Sequence, residues 1–132
     1  MKPEQLAKEA IAAMANAYAP YSGYKVGAAL LCADGTVYHG CNIENASYSP
    51  TICAERTAFC KAVSEGKREF TAIAICGGKD GKIAGLFPPC GVCRQVMREF
   101  CGEDFQVYLI TDPAGAYETR TLSQLLPDSF CL

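Results

Sequence analysis

The chain has 132 residues, half of them hydrophobic and a fifth charged, which is the length of one ordinary domain and excludes disordered, collagenous or acidic solvating polymers. Twelve Lys and Arg against fourteen Asp and Glu leave a formal charge of −2, so no basic excess exists to release counterions from nucleic acid or hold an anionic membrane. We therefore expect no nucleic acid partner and no membrane partner. Cysteine is the outlier: nine are present, and an odd number cannot all pair. Residues 10–24 carry no charge, but Glu4 and Glu9 cancel Lys2 and Lys8, and Asn16 and Pro20 interrupt the stretch, which argues against a signal peptide. No run reaches the roughly 18 apolar residues of a membrane span. The expectation is a cytoplasmic protein with reduced thiols, in which Asn45-Ala46-Ser47 is an accidental glycosylation sequon.

Pro3 and Glu4 suit a helix's first turn, and Leu6, Ala10, Ile11, Met14, Ala17 and Tyr18 recur at three- and four-residue steps until Pro20. Residues 24–32 and 37–43 are rich in Val, Tyr, Leu and Ile, and Asp34-Gly35 between them offers the positive backbone angles of a tight antiparallel hairpin. A polar loop over 44–50 leads to a second helix over 53–65, closed by Gly66. Residues 70–76 form an apolar run without alternation, expected as a central strand buried on both faces. Residues 77–85 read as a glycine-rich loop. It is no phosphate loop, because the glycine spacing is wrong and Ile83 follows Lys82 where Ser or Thr is required. Pro88-Pro89 prepares a third helix over 90–101, followed by strands over 106–111 and 117–121 and a short helix over 122–126. This order places two strand-helix-strand crossovers in succession, which demands parallel strands with both helices entering from one end of the sheet.

Both crossover helices begin with cysteine: Cys53 opens the second, and Cys90 and Cys93 open the third. Unpaired N–H groups and the positive end of the dipole lower thiol pKa values there, so three gathered thiolates make a soft pocket suited to zinc. Three protein ligands leave one coordination position for water, as in a catalytic site. One Cys-x-x-Cys alone is compatible with a redox dithiol or half of a structural zinc site. The second motif adds an acid: Glu55 lies two residues after Cys53, about 200° around a regular helix. Cys53 must then sit at the cap if both side chains are to reach one pocket, with Glu55 as the proton shuttle. Three thiolates outweigh the +2 charge of zinc, and Arg56 is the nearest fixed cation by sequence to compensate.

Cys53-Ala54-Glu55-Arg56 followed by Pro89-Cys90-Gly91-Val92-Cys93-Arg94-Gln95 resembles the small homotetrameric zinc-dependent cytidine deaminases. Segments 19–22, 26–30, 42–48 and 125–127 resemble the same family. The resemblance implies an α/β three-layer cytidine-deaminase-like fold, a five-stranded mixed sheet with helices on both faces, as one domain over 1–132. It implies one zinc ion on Cys53, Cys90 and Cys93, and Glu55 as the catalytic acid and base rather than a ligand. The implied reaction is hydrolytic deamination of cytidine and deoxycytidine to uridine and deoxyuridine with release of ammonia, in pyrimidine salvage. Substrate contacts are implied for Tyr24, Asn42, Glu44 and Ala54. Asn42 and Glu44 lie two apart, on one face of an extended segment, where they can grip a ribose diol. Tyr24 stands where relatives often carry Phe. Ala46, Tyr48 and Phe130 match positions that complete a neighbouring subunit's pocket in the family's homotetramer.

Other readings stand beside this one. Cys32, Cys41, Cys60, Cys76, Cys101 and Cys131 read as ordinary core or surface thiols, His39 as surface decoration, and Arg94 and Gln95 as packing or a solvated helix face. A structural zinc module needs a fourth ligand, for which Cys41 and Cys60 are nearest. A thiol oxidoreductase would use Cys90 and Cys93, and a deaminase of another aminated heterocycle, such as a nucleoside antibiotic, would use the same metal chemistry.

Overall fold

The computed structural model describes residues 1–132. Its helices and strands run α1 (Pro3–Met14), β1 (Tyr24–Cys32), β2 (Val37–Cys41), α2 (Ala54–Ser64), β3 (Phe70–Lys79), α3 (Gly91–Phe100), β4 (Gln106–Ile110), β5 (Tyr117–Thr121) and α4 (Leu122–Leu125). The strands form one mixed sheet in the order β2-β1-β3-β4-β5. β1 is antiparallel to both β2 and β3, so those two run parallel to each other, and β3 pairs directly with β4 in parallel. The expected pair of crossovers is present, with β1 inserted between the strands that the first one joins.

Alternation along the strands sorts side chains into two cores. Ala28, Leu30, Ile73 and Ile75 pack under α2 and α3 with Phe59 and Met97. Ala29, Leu31, Ala72, Ala74 and Cys76 face α1, which lays Leu6, Ala7, Ala10 and Met14 on them. Small strand residues let the helices approach closely. A Cβ on Gly27 would stand 2.6 Å from the Met14 backbone nitrogen, and one on Gly40 2.6 Å from that of Ala58. Phe59, at the heart of the α2 side, meets Phe70 edge-on at 5.1 Å and Phe100 at 6.2 Å, which fixes α2 against α3 and β3.

Four details differ from the sequence expectations. The hairpin connection spans 33–36, and of its residues only Gly35 has a positive φ, +90°. Asp34 acts through its side chain instead, accepting from the Thr36 N–H at 3.0 Å and pairing with Lys67 at 2.6 Å. β2 ends at Cys41, and Ile43 forms only isolated bridges with Tyr18 and Ile52. Gly77, Gly78 and Lys79 belong to β3, paired with Val26, Lys25 and Tyr24, not to a loop. His39, expected as decoration, bonds Glu9 at 2.6 Å and ties β2 to α1. No helix is long and apolar enough to cross a membrane.

Candidate metal and substrate site

The two crossovers bring the first residues of α2 and α3 together. Cys53 is the N-cap of α2 and Cys90 the N-cap of α3, both with extended backbone (ψ 157° and 168°), and Cys93 lies in the first turn of α3. Cys53 Sγ is 3.8 Å from Cys90 Sγ, which is 3.5 Å from Cys93 Sγ. All three sulfurs lie within 4.8 Å of one another. Tetrahedral zinc with bonds of about 2.3 Å spaces its sulfur ligands by about 3.8 Å, so the donor set fits the ion in type and in spacing. Cys53, Cys90 and Cys93 are positioned to bind a metal ion, and neither Cys41 nor Cys60 joins the cluster as a fourth protein ligand.

The electrostatics prepare the sulfurs unequally. Hydrogen bonding from the Cys93 thiol, then from Arg56 and Cys90, lowers the Cys53 pKa to about 5 despite burial. The same bond to Cys53, together with burial, pushes Cys93 the other way. Arg56 Nη2 lies 3.4 Å from Cys53 Sγ. Its Nε is buried without a partner, leaving an unspent donor on the guanidinium that already compensates the thiolate. Arg94 reaches back from α3 to the Pro89 carbonyl at 2.7 Å and also bonds the Leu125 carbonyl, while Gln95 donates to the Phe130 carbonyl at 3.2 Å. Both therefore pack rather than face solvent.

Glu55, in the first turn of α2, is 4% exposed, the one charged residue in the core. Desolvation, reinforced by the Cys53 thiolate, raises its pKa to about 7. It lines a cavity of about 280 Å³ with Cys53, Cys90, Ala54, Asn42 and Glu44. Because Cys53 is the cap rather than a helical residue, sulfur and carboxyl reach one hollow in spite of the two-residue spacing.

Asn42 and Glu44 both reach this cavity, and both are already engaged. Asn42 Oδ1 accepts from the Val26 N–H and its Nδ2 donates to the Tyr24 carbonyl, each at 2.8 Å. Glu44 accepts from the Tyr21 and Ser22 N–H groups at 3.0 Å and from the Ser22 hydroxyl, which lowers its pKa. These bonds clamp the entry to β1 and fix the orientation of both polar groups, each with lone pairs or protons to spare. Tyr24 stands at the rim, 47% exposed, with the Lys79 ammonium 5.2 Å over its ring. Ala46, Tyr48 and Phe130 line none of this cavity; Tyr48 lines an adjoining hollow, and Tyr48 and Phe130 are 79% and 67% exposed. Sequence reasoning missed Phe87, which joins Tyr24 in the cavity wall. Its signal was an aromatic residue directly before Pro88-Pro89 and the Cys90 cap, obscured by the loop reading of the glycines before it.

The sequence model of the cytidine and deoxycytidylate deaminase zinc-binding region matches residues 1–109. The chain belongs to this family. A cytidine deaminase from Sporosarcina psychrophila is 52% identical over 130 residues, spanning 98% of this chain and 92% of the relative. The crystal structure of cytidine deaminase from Burkholderia pseudomallei superposes with a TM-score of 0.89 at 48% identity, covering 98% of this chain and 100% of that one. That of cytidine deaminase from Mycobacterium tuberculosis gives 0.83 at 40% identity, covering 100% and 99%. Family membership and the sulfur cluster agree on a zinc-binding enzyme of the deaminase type.

Proposed function

We propose that the protein hydrolyses cytidine and deoxycytidine to uridine and deoxyuridine with release of ammonia, serving pyrimidine salvage. The observation that carries this reading is a buried carboxyl, Glu55, lining one cavity with Cys53 and Cys90, two of the three sulfur ligands that converge at two helix N-termini. Cys53, Cys90 and Cys93 would hold a zinc ion, which would supply Lewis-acid activation of the attacking water. Glu55 takes a proton from that water and passes it to N3 of the pyrimidine, which makes C4 electrophilic. Oxygen adds at C4, and the same carboxyl then moves the second proton to the amino group, so that the C4–N bond breaks and ammonia leaves. Burial raises the Glu55 pKa above that of an exposed carboxylate, which suits a group that must both take and return a proton.

Asn42 and Glu44 hold the ribose hydroxyls, their orientation already set by the β1 backbone. Ala54 and Tyr24 contact the substrate from the α2 cap and the rim. Arg56 offsets surplus negative charge on the sulfurs. The working enzyme is a homotetramer in which Ala46, Tyr48 and Phe130 complete a neighbour's site, a reading supported by the family resemblance and by the exposure of the two aromatics. Residues 1–132 act as one deaminase domain. The cytoplasm is the fitting location, because all nine cysteines are free and the metal cluster requires reduced sulfur.

The test follows cytidine absorbance with the wild type, its Glu55→Gln variant and chelator-treated protein, alongside zinc analysis. Wild-type turnover abolished in both controls is the expected result. Cytidine left intact by zinc-loaded wild type sinks the reading.

A further inference from the structure

Gly77 and Gly78 end β3 without a glycine's backbone conformation, since neither has a positive φ. What they contribute is the lack of a side chain. A Cβ on Gly78 would collide with the Lys82 carbonyl, so Gly78 lets the segment after β3 fold back against the strand. A Cβ on Gly77 would stand 2.7 Å from Cδ1 and 2.9 Å from Cγ of the Phe87 ring, and 3.1 Å from Cγ2 of Val26. Those are rigid atoms in contact with the sheet, with no flexible tail to swing aside. Gly77 is therefore the recess in which the Phe87 ring rests.

From that recess the ring meets Tyr24 at a centroid distance of 6.1 Å and a tilt of 39°, and both rings border the cavity that holds Glu55, Cys53 and Cys90. The Tyr24 face is shared with the Lys79 ammonium, whereas Phe87 is half-buried and next to Pro88 at the mouth of the metal loop. A flat heterocycle gains most from an aromatic surface whose orientation is fixed before it arrives.

We propose that Phe87 is a substrate-binding residue that holds the base, and that Gly77 is the positioning residue that seats its ring. The inference rests on the deaminase reading above. Phe87 stands clear of the sulfur cluster and of the Glu55 carboxyl in role, so its loss weakens binding and leaves the chemical step in place. Gly77 touches no substrate and its tightest contacts are with the ring, Val26 standing farther off at 3.1 Å, so its substitution adds little once the ring is gone.

Steady-state kinetics on zinc-loaded protein with cytidine tests both parts. Phe87→Ala is expected to raise KM about tenfold with kcat changed less than about twofold, the range of an aromatic-base contact. Gly77→Ala raises KM to a similar degree, and the Phe87→Ala/Gly77→Ala double variant no further than either single change. Phe87→Leu behaves as Ala does, and Phe87→Tyr, which keeps the ring, retains the wild-type KM. Zinc per chain, measured in parallel, stays at the wild-type value throughout. A wild-type KM in Phe87→Ala or Phe87→Leu overturns the substrate role, and multiplying effects in the double variant overturn the positioning role. If Gly77→Ala fails to fold, the Leu and Tyr variants decide the substrate role. Wild type that leaves cytidine unchanged points instead to failure of the deaminase reading.

Discussion

Burial holds the Glu55 carboxyl near pH 7 rather than 4.5, and folding bears the cost. The folded protein keeps this proton to a higher pH than the unfolded chain does. Its contribution is therefore complete below the unfolded pKa and is lost as pH rises through the folded one. In metal-free protein, Glu55→Gln escapes that loss: relative to wild type, its unfolding free energy should gain about 3 kcal/mol between about pH 4.5 and pH 8. Denaturant titrations of the two proteins across that range measure it, and parallel pH profiles refute it. In the proposed mechanism the same substitution would remove the proton relay, so stability and turnover should move in opposite directions. Arg56 is the second residue to which the proposed function gives a charge role. With Nη2 on Cys53 Sγ, Arg56→Ala should keep zinc but lower kcat about 10- to 100-fold. Metal analysis beside turnover checks this; unchanged kcat would show that the sulfurs need no guanidinium. The meeting of Cys53 and Glu55 in one hollow was legible in the sequence because side chains two residues apart reach the same side only when the first is the helix cap, and Arg56 was legible as the nearest cation along the chain. The prior engagement of Asn42 and Glu44 was not, since backbone partners 16 to 23 residues away leave no local pattern.

At the scale of elements, α2 is the part on which the site depends, and its height above the sheet is set by Gly40. A methyl group there would press on the α2 backbone at Ala54 and Ala58, directly beside Cys53 and Glu55. Gly40→Ala should therefore cost about 1–3 kcal/mol of stability as overpacking, and should weaken zinc binding as well, because the Cys53 cap moves relative to Cys90. Thermal unfolding and competition with a colorimetric chelator read the two effects; lost stability with unchanged zinc affinity would uncouple the helix position from the site. The helices, strands and crossovers were readable from periodicity, caps and order. The end of β3 was not: Gly77 and Gly78 look like loop punctuation, and only the neighbours that fill their vacant side-chain positions reveal a strand.

For the whole molecule, the tetramer reading makes its own prediction. Sedimentation equilibrium should give a mass of four chains, and Phe130→Ala and Tyr48→Ala should raise KM without moving Glu55 or the sulfurs. A monomer with full activity discards shared sites. The five strands and the two crossovers were legible from element order and the layered mixed sheet from the family resemblance, while the position of β1 between β2 and β3 was not, because the sequence of elements does not say which strands become neighbours.

That inserted strand ties the metal cluster to the tertiary structure. Cys53 and Cys90 are 37 residues apart and belong to successive crossovers, the first of which passes over a strand already hydrogen-bonded on both sides. Because the sulfurs come from the starts of α2 and α3, which the sheet holds side by side, zinc affinity should depend on native tertiary geometry, and a dye that competes for the ion should read how much of that geometry has returned during refolding.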